Sequence, residues 1–235
     1  MVLASGPVVL IFGAGANIGQ ALIKRFAEAG YRVAAVSRSG AEPPAITDGI
    51  LSIRADLQET SAPTRALGVV KDIYKATPKV FIYNAAHQTS APDPNNVFSI
   101  GTQTLNNDLS IMVSAPWTVA TAAFEAWSAE DKTDDEQRTF IYTGNCMPQT
   151  IIPIVHLATV GVGKSGAAYW VQLADALYGK KGFRFFFADE RTAEGITIGP
   201  VPGAESHAQF YLTLAEGKSD IPSYATFVDG KYRKF

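Results

Sequence analysis

Short, uninterrupted apolar runs alternate along this chain with stretches whose apolar residues recur at helical spacing. Val8-Val9-Leu10-Ile11-Phe12 is rich in β-branched side chains and predicts a strand buried on both faces. Glycines follow at once. From Asn17, a good N-cap residue, Ile18, Leu22 and Phe26 fall on one helical face, Lys24, Arg25 and Glu28 fall elsewhere, and Gly30 stands where the helix would end. Tyr31 to Val36 and Ile50 to Arg54 read as a second and a third strand with a Pro-rich turn between them. A helix over Ser61 to Ala76, with Pro63 near its start, then leads into the strand Val80 to Tyr83.

A loop from Asn84 to about Ser99 precedes a long helical pattern over Thr102 to Trp127, apolar over much of its circumference, with Pro116 placed to bend it. Glu130 to Arg138 has no apolar face and reads as a solvated turn before the strand Thr139 to Thr143. A Pro-interrupted loop, a helix from about Val160 to Tyr178, the strand Phe183 to Ala188, a short helix around Ala208 to Ala215 and a final strand Ala225 to Val228 complete the order. Strands separated by helices throughout imply an α/β fold. The expectation is one doubly wound, Rossmann-type domain over residues 1–235, its mostly parallel sheet flanked by helices on both faces. That domain is expected in two halves, residues 1 to about 110 and about 111 to 235.

Composition narrows the partner. The chain has 47% hydrophobic and 18% charged residues, so apolar surface is ample for a core of this size. Twenty basic against 22 acidic residues, with no Lys/Arg block, offer nothing to nucleic acid or an anionic membrane. A small molecule is the expected partner. Met1 to Ile23 and Thr139 to Gly163 lack charge for long enough to imitate a membrane span, but their polar and helix-breaking residues would leave backbone unsatisfied in lipid. Neither has the layout of a signal peptide. A single cysteine, Cys146, fits a reducing compartment, and cytoplasm is the default expectation. No HExxH, CxxC or clustered His/Asp pattern supports a metal site.

In an open parallel sheet the ligand crevice lies beyond the carboxyl ends of the strands. The first such turn is Gly13-Ala14-Gly15-Ala16-Asn17-Ile18-Gly19. Gly13 and Gly15 let backbone approach a pyrophosphate, amides at the helix start point toward it, and Gly19 allows the helix to lie near the strand. After the second strand stand Ser37 and Arg38, with no acid to bind ribose hydroxyls and a guanidinium suited to a 2′-phosphate, which favours NADP over NAD. A solvated surface arginine is the competing reading. Asp56-Leu57 after the third strand could meet adenine, and Asn84-Ala85-Ala86 after the fourth offers small residues beside the cofactor.

The order of these segments resembles the short-chain dehydrogenase/reductases over about the first 190 residues, as a divergent branch beginning Gly-Ala-Gly. Asn84-Ala85-Ala86 is similar to the family's Asn-Asn-Ala-Gly segment, and Asn17 stands where the usual turn has glycine. The resemblance implies that Lys164 is the lysine of Tyr-x-x-x-Lys and binds the nicotinamide ribose. It also implies a homodimer or homotetramer through the fourth and fifth helices, whose broad apolar coverage permits this.

Four residues before Lys164, where the family carries its catalytic tyrosine, the chain has Val160. The segment Thr143-Gly144-Asn145 replaces the family's serine, and Met112 falls where an active-site asparagine is expected. In the family mechanism a lysine cation pulls the tyrosine toward neutrality so that it protonates the carbonyl oxygen as hydride arrives. Valine cannot do this, and loss of a positioned acid costs roughly a hundredfold to ten-thousandfold.

Of the groups near the expected site, His156 is the first candidate for proton delivery, ahead of His87, Asn145, Cys146 and Tyr142. Its competing reading is a loop histidine with a structural hydrogen bond, and Cys146 reads better as a buried small side chain. Tyr169, five positions after Lys164, belongs to another side of the helix. Three functions remain open. One is an NADP(H)-dependent oxidoreductase with non-standard proton delivery acting on a small hydrophobic substrate, with Lys164, His156 and Asn145 as catalytic candidates. Another is a catalytically degenerate NADP-binding sensor or interaction protein. The last is an isomerase, lyase or cyclisation enzyme without a redox step.

Overall fold

In a computed structural model that describes residues 5–130, 136–217 and 220–235, one nine-stranded sheet runs through the molecule in the order β3-β4-β2-β1-β5-β6-β7-β8-β9. The parallel strands are β1 (Val8–Phe12), β2 (Arg32–Ser37), β4 (Ile50–Arg54), β5 (Val80–Tyr83), β6 (Arg138–Thr143), β7 (Phe183–Glu190) and β8 (Tyr224–Val228). β3 (Ala45–Thr47) and β9 (Lys231–Tyr232) close the two edges as antiparallel partners. Each edge hairpin turns through Asp-Gly with both residues at positive φ, Asp48-Gly49 at one end and Asp229-Gly230 at the other. That dipeptide suits the two-residue hairpin whose twist matches the strands. The expected Pro-rich turn before β4 is thus partly an edge strand.

The apolar runs lack polar alternation because both faces are covered. Along β1, Val8, Leu10 and Phe12 enter one core cluster and Val9 and Ile11 the other. Helices α2 (Ala62–Tyr74), α4 (Ala115–Ser128) and α5 (Ala158–Tyr178) cover the first face, and α1 (Ile18–Glu28) and α6 (Ala204–Glu216) the second. α6 begins ahead of the expected Ala208. The solvated turn expected over Glu130 to Arg138 falls largely on 131–135, outside the described residues. Arg138 pairs with Glu130 at 2.9 Å across it.

The single long helix expected over Thr102 to Trp127 is instead α3 (Thr102–Leu109), a π-helical turn over Ser110–Ser114, and α4. Pro116 supplies the reason. Ala115 donates its amide to the Ser110 carbonyl five residues back, and Pro116 has no N–H with which to continue in either the π or the α register. Tyrosine hydroxyls from the sheet serve the carbonyls on this turn. Tyr83 donates to Ile111 at 2.5 Å and Tyr142 donates to Met112 at 2.9 Å. These tyrosines belong to an aromatic row across one face of the sheet, Phe12, Tyr83, Tyr142, Phe187 and Tyr224, with neighbouring centroids 5.1 to 6.4 Å apart. Each buried ring contributes apolar area while its hydroxyl, where it has one, finds an acceptor.

Candidate active site

β1 and β5 are neighbours from which the chain proceeds toward opposite edges of the sheet, so a crevice opens between their carboxyl ends. Gly13 leaves β1 at φ 89°, and a Cβ there would stand 2.4 Å from the Ala85 amide nitrogen. Only glycine allows these two turns to pass so closely. A Cβ on Gly19 would lie 2.6 Å from the Ala14 carbonyl carbon, so this position keeps α1 tight against its own turn. Gly15 differs from both. Nothing lies within 4 Å of its Cβ direction, and it borders a cleft of about 710 Å³.

That cleft is lined by Gly13, Gly15, Ser37, Arg38, Asp56, Leu57, Asn84, Ala85 and Ala86. Arg38 is exposed and makes no ion pair or hydrogen bond among the described residues. Asp56 accepts the Gln58 amide at 3.0 Å, which shapes the turn after β4. Ala16 and Asn17 lie exposed at the start of α1, outside the cleft wall. Asn17 occupies the N-cap position without capping. Its side-chain amide donates instead to the Pro202 carbonyl at 3.3 Å, tying the glycine turn to a distant loop. Ile18 is buried and borders a second cavity.

The second cavity, about 570 Å³, is walled by Ile18, Thr143, Asn145, Cys146, Ile152, His156, Val160, Glu190, Ile198 and His207 among others. Ile151 and Val201, 88% and 76% exposed, stand on the loops that form its walls. The two cavities meet at a polar chain. Tyr211 donates its hydroxyl to Thr143 Oγ1 at 2.8 Å, and Thr143 Oγ1 donates to Asn84 Oδ1 at 2.9 Å. Asn84 Nδ2 in turn donates to the Gly13 carbonyl at 2.9 Å. Backbone ends of three strands are thereby held in one register at the crevice. Burial, the largest influence, pushes the Tyr211 pKa well above the ordinary tyrosine value, so this hydroxyl keeps its proton.

Lys164 lies behind this chain. Its ammonium donates to the Thr143 carbonyl at 2.7 Å, sits 4.6 Å from the centroid of the Tyr142 ring and borders neither cavity. Burial lowers its pKa from the usual lysine range to about 7. Val160, one turn earlier on α5, faces the second cavity. His156 is exposed at the wall and makes no side-chain hydrogen bond among the described residues. Asn145 uses its side-chain oxygen to accept the Met147 amide at 3.0 Å. Cys146 is buried, and Tyr169 points to solvent at 72% exposure.

Two carboxylates at the site escaped the sequence reading. Asp108 is fully buried and accepts four hydrogen bonds: from His87 Nδ1 at 2.8 Å, from the amide and hydroxyl of Thr89, and from Thr159 Oγ1 at 2.6 Å. Burial alone would raise its pKa, but these donors outweigh that and hold it below the ordinary carboxylate value. Glu190 ends β7 and accepts the Gly203 amide at 2.8 Å, while the His207 Nδ1 of α6 lies 3.3 Å from the same oxygen. The span Asp189 to Pro202 therefore brings chemistry to the cavity. Its signal was positional: Asp189, Glu190 and Arg191 stand at the carboxyl end of a buried strand, where a crevice is expected.

No protein-family model matches the chain. A curated protein from Cryptosporiopsis sp. (strain 8999), short chain dehydrogenase/reductase dmxR12, is 34% identical over 240 residues, spanning 96% of this chain and 93% of that protein. The chain belongs to the short-chain dehydrogenase/reductase family. Solved structures agree on the fold. An NADH-dependent reductase described as responsible for alginate metabolism superposes with a TM-score of 0.80 at 18% identity, covering 97% of both chains. A 3-ketoacyl-(acyl-carrier-protein) reductase from Brucella melitensis, complexed with NADH, gives 0.78 at 16% identity, covering 96% of this chain and 98% of that one. Among the described residues no helix is long and apolar enough to cross a membrane, and no group of three or more His, Cys, Asp or Glu side chains gathers to hold a metal.

Proposed function

We propose that this short-chain dehydrogenase/reductase is an NADP(H)-dependent oxidoreductase of a small hydrophobic carbonyl or alcohol, with a proton path that does not use the family's tyrosine. The observation that carries the reading is the pair of cavities joined at Asn84 and Thr143. One is walled by glycines, Ser37 and Arg38 and the other by mainly apolar side chains.

The residues fit the dinucleotide. Gly15 offers a backbone face that a Cβ would fill, the amides of Ala16, Asn17 and Ile18 leading into α1 suit a pyrophosphate, and Arg38 is free to meet a 2′-phosphate. Ser37, Asp56 and Leu57 flank the adenosine end, while Asn84, Ala85 and Ala86 leave room toward the second cavity. When bound, the nicotinamide supplies the hydride. Lys164 holds the end of β6 through the Thr143 carbonyl and places a positive charge behind the crevice, where it would favour the ribose and a developing oxyanion. His156 and Asn145 stand on the substrate side of that charge. Apolar walls exclude water from the reacting centre.

Fluorescence titration with NADPH and NADH tests the cofactor assignment. NADPH should bind more tightly, and Arg38→Ala should weaken NADPH roughly ten- to hundredfold, the worth of a charge-assisted contact, while leaving NADH nearly unchanged. An unaltered preference in the variant would defeat the NADP assignment. Failure of both nucleotides to bind at millimolar concentration would remove the dinucleotide reading entirely. NADPH consumption with a panel of ketones, enones and imines tests turnover.

A further inference from the structure

The third histidine of the chain is the one the fold encloses. His207 is 2% exposed, borders the second cavity with Val160, and packs edge-on against Tyr211 and Phe227. Its Nδ1 lies 2.8 Å from the Gly203 carbonyl, which can only accept, so Nδ1 carries the proton in the neutral ring. Nε2 is then the lone-pair nitrogen, and it has no hydrogen-bond partner among the described residues. The Glu190 carboxylate lies 3.3 Å from Nδ1 and is itself held by the Gly203 amide. One residue, Gly203 just before α6, thus orients both members of the pair, its N–H on the carboxylate and its C=O on the imidazole. A ring fixed by a carbonyl on one nitrogen, with a carboxylate 3.3 Å from that nitrogen and the other nitrogen open at a cavity wall, is an arrangement in which an imidazole exchanges protons with a reactant.

We infer that His207 is the proton-transferring group of the active site and that Glu190 is its positioning residue. The assignment rests on the oxidoreductase reading above. In reduction, Nε2–H of the His207 imidazolium gives its proton to the substrate carbonyl oxygen while hydride from the reduced nicotinamide adds to the carbonyl carbon. The C=O π pair becomes the O–H bond, the products are an alcohol and oxidised nicotinamide, and the ring is left neutral to be reprotonated from solvent. In oxidation the neutral Nε2 accepts the alcohol proton as hydride leaves. Two charged groups act on the ring, Glu190 on β7 and Lys164 on α5, while the adjacent Tyr211 of its own helix keeps its proton. Burial pushes the His207 pKa below its ordinary value, with Lys164 adding to that push, against the pull of Glu190 and the Gly203 carbonyl. His156, exposed and unpartnered, lacks this orientation.

The test combines spectroscopy of the ring with kinetics. In 15N-labelled wild-type protein, multiple-bond 1H–15N spectra should show the Nδ1–H tautomer for His207, and Glu190→Gln should lower its pKa. The Nε2–H tautomer in the neutral ring would overturn the assignment. With NADPH and an aryl ketone series, His207→Gln should lose about a hundredfold to ten-thousandfold in kcat. NADPH affinity should stay unchanged in that variant. Reduction requires the imidazolium, so its rate falls as pH rises through the His207 pKa, and Glu190→Gln should move that limb to lower pH. Wild-type turnover with His207→Gln unimpaired would overturn His207 alone. A wild type that binds NADPH but reduces no carbonyl would overturn the redox reading and this step with it.

Discussion

The Lys164 ammonium donates to the Thr143 carbonyl at 2.7 Å, so the buried cation of α5 is satisfied by the backbone at the end of β6 rather than by a carboxylate. A buried lysine held, among the described residues, by a carbonyl and an aromatic face is charged at a cost, which is why its pKa falls to about 7. The unfolded chain binds this proton up to the ordinary lysine pKa, whereas the folded chain releases it near neutrality. Stability must therefore rise with pH between about 7 and 10, by at most about 1.4 kcal/mol per unit from this group. Thermal unfolding of the ligand-free protein at pH 7, 8 and 9 should show an upward trend that Lys164→Met removes.

The Thr143 hydroxyl is the middle of the chain from Tyr211 to Asn84. Thr143→Val keeps the shape and removes both bonds, leaving the buried Tyr211 hydroxyl and the Asn84 side-chain oxygen unpaired. A loss of about 1–3 kcal/mol is expected, read as a lower urea midpoint with an unchanged slope.

Two glycines of the first turn should respond in opposite ways to the same methyl group. Gly13→Ala meets both a positive φ and the Ala85 amide, so the folded protein itself should be destabilised by more than about 1 kcal/mol. Gly15→Ala meets nothing in the ligand-free protein. Its unfolding midpoint should stay near wild type while NADPH binding weakens. Equal effects of the two variants on stability would contradict this division.

Tyr142→Phe should cost about 1–3 kcal/mol, because the Met112 carbonyl on the π turn loses the hydroxyl that Pro116 obliges it to find elsewhere. Burial holds the Tyr142 pKa far above the ordinary tyrosine value, so the hydroxyl keeps its proton through any accessible pH and the loss should be nearly pH-independent. Urea unfolding at pH 6 and pH 9 checks both statements.

Apolar runs and helical spacing were enough to place the seven parallel strands, the glycine turn and the segments after β2, β4 and β5, because buried strands and helix faces write their periods directly into the chain. The edge strand β3 was hidden by its short length, although Asp48-Gly49 marked the hairpin. The long helical pattern over Thr102 to Trp127 concealed a π turn, since periodicity shows which face is apolar and not which carbonyl a proline leaves unpaired. At the site, the sequence favoured His156, whose loop before the Lys164 helix was expected to border the substrate side. His207 and Glu190 are separated by a loop, and they meet because β7 lies next to β6 and α6 folds back over the sheet. The sequence alone determined a Rossmann-type α/β chain with a dinucleotide-like turn, since local spacing reports local burial. Which histidine is enclosed, oriented and opened to the cavity was decided only in three dimensions, where long-range packing sets the dielectric and hydrogen-bond partners of each ring.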